Sequence, residues 1–266
     1  MSLLKNKIIL ITGASSGMGK ATAEQFAAQG AHVILAARRA EHLEKLAGEL
    51  ENTYKIKTRP LVLNIQDADA VKRAIESLPQ DWREIDILVN SAGLVQGTDK
   101  IQDGKTENWD TMIQTNLLGL LYITRAVLPI MVARKSGHIF NVGSAAAHDH
   151  YLSGNIYCAT KHAVRSLSKS LRIDLLGLGI RVTEIDPGMT HTEFSEVRLG
   201  GKDKARADAF YQGYQALTAE DIADAIIYCA TRPLHVNIAE MLIYPSAQAS
   251  ANHIYKNSGV GGVLDE

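Results

Sequence analysis

Tyr157 and Lys161 stand four residues apart in a segment with helical character, so a phenol and an amine share one helix face. A phenol gives or takes a proton, and a nearby ammonium favours its ionised form. Alone the pair carries little weight, because chance supplies it in roughly one chain in two of this composition. Its weight comes from partners. Ser144 follows a β-rich run at residues 138–142, which puts its hydroxyl at the end of a strand. Asn116 falls inside a long helical stretch, where asparagine is a poor interior residue and marks a local distortion.

A second group of residues suits a phosphate-bearing ligand. Gly13, Ser15, Ser16, Gly17, Met18 and Gly19 form a glycine-rich turn between the first strand and a helix. Glycines let the backbone turn sharply and approach a pyrophosphate, and the helix N-terminus offers free N–H groups and a favourable dipole. At the end of the second strand stand Arg38 and Arg39, with no acid until Glu41. Folds that bind NAD usually place an acid there for the ribose hydroxyls, whereas arginine forks match a 2′-phosphate. The pattern therefore points to NADP(H), with Arg38 as the more direct contact. A solvated strand end is the plain alternative.

These residues need a scaffold, and the chain supplies its signals. Residues 7–12, 32–37, 58–63, 85–90, 138–142, 180–185 and 241–244 are short apolar runs suited to strands buried on both faces. Helical patterns lie between them at 18–29, 41–50, 68–78, 106–134, 157–176 and 219–230. This alternation predicts an α/β class fold: a single Rossmann-type doubly wound domain over residues 1–246, with a seven-stranded, mostly parallel sheet and helices on both faces. Residues 247–266 form a Gly-rich tail, expected to be flexible or to contact a neighbouring subunit.

The 266 residues suffice for one large domain, and 46% apolar with 21% charged content is ordinary for a globular chain. A net charge of −1 gives no field that recruits nucleic acid or an anionic membrane. Contiguous apolar runs such as 8–11 are too short to span a bilayer, and the N-terminus shows no cleavage signal. Cys158 and Cys229 make no redox or disulfide pattern. A cytoplasmic enzyme on a small-molecule substrate is the expectation. His148, Asp149 and His150 invite a metal reading, but three adjacent loop residues rarely close a site, so no metal is expected.

Taken together, the glycine turn, Asn116, Ser144, Tyr157 and Lys161, with Asn90-Ser91-Ala92-Gly93 and Pro187-Gly188, resemble the short-chain dehydrogenase/reductase family over nearly the whole chain. The resemblance implies that Tyr157 is the acid/base and that Lys161 lowers its pKa and holds the nicotinamide ribose. It implies that Ser144 orients the substrate carbonyl and Asn116 holds a water leading from Lys161 to solvent. It further implies cofactor contacts at Asn64, Ile65, Asn90, Ala92, Gly93, Pro187, Gly188, Thr190 and Thr192. Ser91 and Asn64 depart from the usual Asn and Asp of the pattern.

Within that family, residues 151–157, 187–198 and 216–222 resemble NADP-dependent 3-hydroxy acid dehydrogenases, which act on serine, allo-threonine or malonic semialdehyde, and also sulfoacetaldehyde reductases. On this reading Arg198 clamps a carboxylate or sulfonate and Tyr151 adds a hydroxyl. Two alternatives stay open: a reductase for neutral carbonyls, and a non-enzymatic NADP-binding sensor. Small residues Ala159, Ala163, Ser166 and Ser170 thin the catalytic helix, and the resemblance implies a homo-oligomer, a dimer or tetramer.

Overall fold

The structure is a computed structural model that describes residues 3–201 and 203–257. Seven strands form one sheet in the order β3-β2-β1-β4-β5-β6-β7. They are β1 (Ile8–Thr12), β2 (His32–Ala37), β3 (Thr58–Val62), β4 (Ile87–Asn90), β5 (Gly137–Val142), β6 (Ile180–Pro187) and β7 (Glu240–Ile243). Every pairing is parallel, with Thr12 level with Ala36 on one side and with Asn90 on the other. The strand order reverses between β1 and β4, so the chain leaves the sheet in opposite directions there and opens a crevice at the strand ends.

Helices cover both faces. On one lie α1 (Gly17–Ala28), α2 (Ala40–Tyr54) and α9 (Ala219–Ala230), closing over Ile9, Ile11, Val33 and Leu35 with Phe26, Leu43 and Ile226. On the other, α3 (Ala68–Glu76), α5 (Leu120–Arg134) and α6 (Asn155–Asp174) bring Val71, Ile123, Val127 and Leu171 onto Leu10, Ile34, Leu88 and Ile139. The central strands are mostly apolar because both faces are buried, and burial of such side chains contributes roughly 1.5–3 kcal/mol each. Asp67 caps α3 through the Ala70 N–H, and Thr218 with Asp221 forms a capping box on α9.

The long helical stretch expected at 106–134 is interrupted. It consists of α4 (Thr106–Ile113), a π-helical turn over Gln114–Gly119, and α5. Asn116 sits inside that turn, where the wider backbone replaces the i→i−4 pattern. The combined stretch Thr106–Arg134 contains an 18-residue window of mean hydropathy 1.7, long and apolar enough by composition to cross a membrane. Its buried residues Ile123, Val127 and Met131 pack against the sheet and its neighbouring helices.

Two short helices, α7 (Phe194–Arg198) and α8 (Lys204–Ala209), were not anticipated. They lie beyond β6 and form a flap over the strand ends. Residues 247–257 of the tail make backbone hydrogen bonds within the chain. Ala249 N–H bonds His253, Tyr255 N–H bonds Ala247, and Asn257 N–H reaches back to Gly213. Residues 258–266 of that tail lie outside the described residues.

Candidate active site

Two connected clefts occupy the strand ends, one of about 310 Å³ and one of about 290 Å³, sharing Met18, Ser91, Gly93, Thr192 and Phe194. The first is lined by the glycine turn, Arg38, Arg39, Asn64, Ile65, Ala92 and Gly93. The second holds Ser144, Tyr151, Tyr157, Lys161, Pro187, Gly188, Thr190 and Arg198. With one exception, the residues singled out as catalytic, cofactor-binding or substrate-binding meet at these clefts or directly beside them.

The exception is Asn90. Its amide donates to Thr124 Oγ1 at 3.0 Å and to Asn141 Oδ1 at 2.9 Å, both in the core, so its side chain does not face the cofactor cleft. The buried sheet face claims it, because an amide there needs partners more than a ligand does. Asn141 passes the chain on to Ser168 of α6, so this network ties β4 and β5 to the catalytic helix.

The turn after β1 is built for close approach. Gly13 and Gly17 have positive φ, at +70° and +51°. A Cβ on Gly19 would stand 2.4 Å from the carbonyl oxygen of Gly13, so the helix packs against its own turn only with glycine there. Thr12 Oγ1 accepts the N–H groups of Ser91 and Ala92, 3.1 Å each, and locks the end of β4 beside this turn.

The two arginines at the end of β2 have separate tasks. Arg39 donates to Ser15 and Ser16 hydroxyls at 2.7 to 3.1 Å and pairs with Glu193 at 3.3 Å. It braces the turn. Arg38 has no hydrogen bond or ion pair among the described residues and lines the same cleft, so its guanidinium is free for an anion. A narrow cradle at a helix N-terminus, with a free guanidinium at its far end, fits a phosphorylated dinucleotide.

At the inner cleft, α6 carries Tyr157 and Lys161, both buried. Lys161 Nζ donates to the Val142 carbonyl at 2.9 Å and lies 5.8 Å from the Tyr157 ring centre. Burial lowers the lysine to about 8, against the pull of Asp186 and Glu184. Burial pushes the Tyr157 phenol well above its ordinary 10, with the Tyr151 hydroxyl adding to the rise. A hydrogen bond from Ser144 and the charge of Arg198 act the other way. In the chain alone, desolvation sets the direction of the shift. The shift favours the protonated phenol.

Asn116 Oδ1 accepts the Leu94 N–H at 2.8 Å, while its amide donates to Leu94 O at 2.8 Å and Thr160 Oγ1 at 3.2 Å. The π turn is thereby fixed to the β4 loop and to α6. A Cβ on Gly93 would meet both Asn116 Oδ1 and Lys161 Nζ, at 3.5 and 3.6 Å, so glycine leaves the space between them open.

Arg198 stacks over Tyr151 and Phe210, 5.3 and 5.9 Å from their ring centres. Its Nε is buried with no hydrogen-bond partner. Tyr151 is pushed up to about 12 by burial, with Arg198 acting against the rise. Residues missed in sequence also shape this cleft: Phe194, Phe210 and Tyr211 of the flap, and Gln248 of the tail. Gln248 Oε1 accepts the Met189 N–H at 2.8 Å and so ties the tail to the loop after β6. An amide in a Gly/Ser/Ala-rich end gives no periodic signal.

The His148-Asp149-His150 triplet does not converge. His148 turns in, with its ring nitrogen and oxygens of Asp186 and Glu240 all within 4.8 Å, whereas His150 stacks on His162 at 4.6 Å. His148 pairs with Asp186 at 2.7 Å, and Glu240 is taken by Arg165 through two bonds of 2.9 Å.

A phenol, a hydroxyl and an ammonium beside a dinucleotide-shaped cleft define the class: an oxidoreductase site for carbonyl and alcohol groups. The family model for short chain dehydrogenases matches residues 7–200, and the chain belongs to that family. It is 46% identical to the NADP-dependent 3-hydroxy acid dehydrogenase of Schizosaccharomyces pombe, over 96% of this chain and 99% of that protein. It is 45% identical to the serine 3-dehydrogenase of Agrobacterium fabrum, over 94% of this chain and 98% of that one. Among solved structures, the closed form of serine dehydrogenase complexed with NADP+ superposes with a TM-score of 0.87 at 43% identity, covering 94% of this chain and all of that one.

Proposed function

We propose that this chain is an NADP(H)-dependent oxidoreductase interconverting a small aldehyde or ketone that bears an acidic group and the matching 3-hydroxy acid. The observation that carries the substrate class is Arg198, a guanidinium with a buried unpartnered Nε in the cleft that holds Ser144 and Tyr157. A buried donor without a partner costs about 1–3 kcal/mol, which a carboxylate or sulfonate oxygen would recover.

For the cofactor, the glycine turn and the N-terminus of α1 would hold the pyrophosphate and Arg38 the 2′-phosphate. Asn64 and Ile65 would face the adenine, with Ala92, Gly93, Pro187, Gly188, Thr190 and Thr192 along the inner half. When bound, NADPH supplies the hydride. Tyr157 gives its phenolic proton to the carbonyl oxygen, and Ser144 Oγ bonds the same oxygen and fixes its direction. Lys161, charged below about pH 8, offsets the negative charge left on the phenol. In the reverse direction the phenolate takes the proton back. The space at Gly93 suits a water between Lys161 and Asn116, as a route for that proton.

A second reading, a neutral carbonyl substrate, is favoured by the apolar Ala145, Ala146, Phe194 and Phe210 lining the same cleft. NADPH oxidation with malonic semialdehyde, sulfoacetaldehyde and neutral aldehydes of similar size separates these readings. The proposal expects at least about tenfold higher kcat/KM for an acidic aldehyde than for its neutral counterpart. Equal or better turnover of the neutral compounds would replace it with the second reading.

A further inference from the structure

Beneath the inner cleft lies a buried acidic group that the mechanism does not use. Asp186 and Glu184 stand two apart on β6, both with no exposed surface, beside the buried Val182, Thr183 and Ile185. Asp186 Oδ1 accepts the backbone N–H of Ser144 at 3.0 Å, and Oδ2 pairs with His148 Nε2 at 2.7 Å. Residues 143–148 are thus held to β6 at both ends, with Gly143 N–H also bonded to Ile185 O at 2.8 Å. The fit leaves no slack. A Cβ on Gly143 would lie 1.9 Å from Asp186 Oδ1 and 2.8 Å from Glu184 Oε1.

We propose that Asp186, with His148, is a positioning residue for Ser144: its ionised carboxylate clamps the serine's peptide N–H with one oxygen and the His148 imidazole with the other, so the aim of the serine hydroxyl follows the charge state of this pair. The inference rests on the reading of Ser144 as the group that orients the carbonyl.

The chemistry of the pair makes it sensitive to pH. The ionised carboxylate offers Oδ1 to the Ser144 N–H and Oδ2 to the Nε2–H tautomer of His148, and a proton added to Oδ1 displaces the Ser144 contact. Charges surround the carboxylate on every side. Lys161 and Arg165 face it from α6, Glu184 from its own strand, Glu240 from β7, and the Tyr244 hydroxyl from beyond β7. Lys169 acts on His148, whose own basicity is lowered by burial and by Arg165, so the imidazole is neutral near pH 7. Burial raises both carboxyls, each helped by a neighbouring acid. Glu184 has no hydrogen-bond partner at either oxygen, while Asp186 has two donors. Glu184 therefore takes the first proton and Asp186 the second.

The test compares Asp186→Asn alone and in a Ser144→Ala background, with NADPH affinity measured alongside by fluorescence. If Asp186 acts through Ser144, Asp186→Asn lowers kcat about tenfold or more in the intact enzyme and less than about twofold when the hydroxyl is already gone. The intact enzyme also shows an acid limb in the pH profile of kcat that Asp186→Asn removes. His148→Phe, which removes one donor while keeping the ring volume, moves that limb to higher pH. An equal loss in both backgrounds, or an acid limb that survives Asp186→Asn, would overturn the inference and leave the role of Ser144 standing. Full turnover by Ser144→Ala would overturn both.

Discussion

Arg198→Met tests the substrate class. Methionine keeps most of the volume between Tyr151 and Phe210 and removes only the charged fork. Each charge-assisted hydrogen bond contributes about 1.5–3 kcal/mol when desolvated, and a guanidinium can supply two to a carboxylate. The Arg198 side chain is half-buried, so solvent screens part of that gain. A loss of about 3 kcal/mol is a reasonable central value, which corresponds to roughly 150-fold in kcat/KM for an acidic aldehyde. For a neutral aldehyde of the same size the change stays within about threefold, since no bond to the fork is made. The stacks over the two rings add a separate effect: about 1 kcal/mol of cation–π stabilisation is lost, which lowers Tm by about 2–4 °C. The assay is steady-state NADPH oxidation with paired acidic and neutral aldehydes on the same enzyme preparation. If both substrates lose the same factor, Arg198 is a packing residue of the flap and not an anion clamp.

Two further outcomes follow from the cofactor cleft and the buried lysine. Arg38→Ala lowers the NADPH-to-NADH preference in kcat/KM by about ten- to a hundredfold, whereas Arg39→Ala, which braces Ser15 and Ser16, weakens both cofactors alike; identical profiles for the two variants would dissolve this division of labour. Burial lowers Lys161 from 10.5 to about 8, so between about pH 8 and 10.5 the unfolded chain binds more protons than the folded one. The cost of the buried charge is full below about pH 8 and is relieved as pH rises across that window, by at most about 3 kcal/mol. Urea unfolding at pH 7 to 10 should show this gain in the parent, and Lys161→Met should flatten it while abolishing turnover; a parent curve as flat as the variant's would contradict the shift.

The fold was legible because the central strands obey one simple constraint. Both faces of β1, β2 and β4 are covered, so their sequences are mostly Ile, Leu, Val and Ala, and helices must separate them. Asn116 was legible for a related reason: an asparagine inside an apolar helix needs an explanation, and the π turn provides it. What sequence could not show are contacts between distant segments. Glu193 completes Arg39 from far along the chain, and Gln248 reaches Met189 from the tail, with no local pattern at either. The direction of the Asn90 amide nitrogen was not legible either, because strand-end position does not fix which way an amide turns; Thr124 and Asn141 decide that. The acids of β6 were a signal left unused. Glu184 and Asp186 stand two apart in a strand that must be buried, and such residues demand partners.

The account depends on the Tyr157 phenol as the proton donor and acceptor of the reaction. Replacing Tyr157 with Phe removes one oxygen from a side chain that packs edge-on against Phe194 at 5.6 Å, so fold and NADPH binding should survive. Single-turnover oxidation of NADPH by Tyr157→Phe with malonic semialdehyde is the direct measurement. A fall of about 10²–10⁴-fold with unchanged NADPH affinity is the expected result; turnover at the parent rate would contradict it.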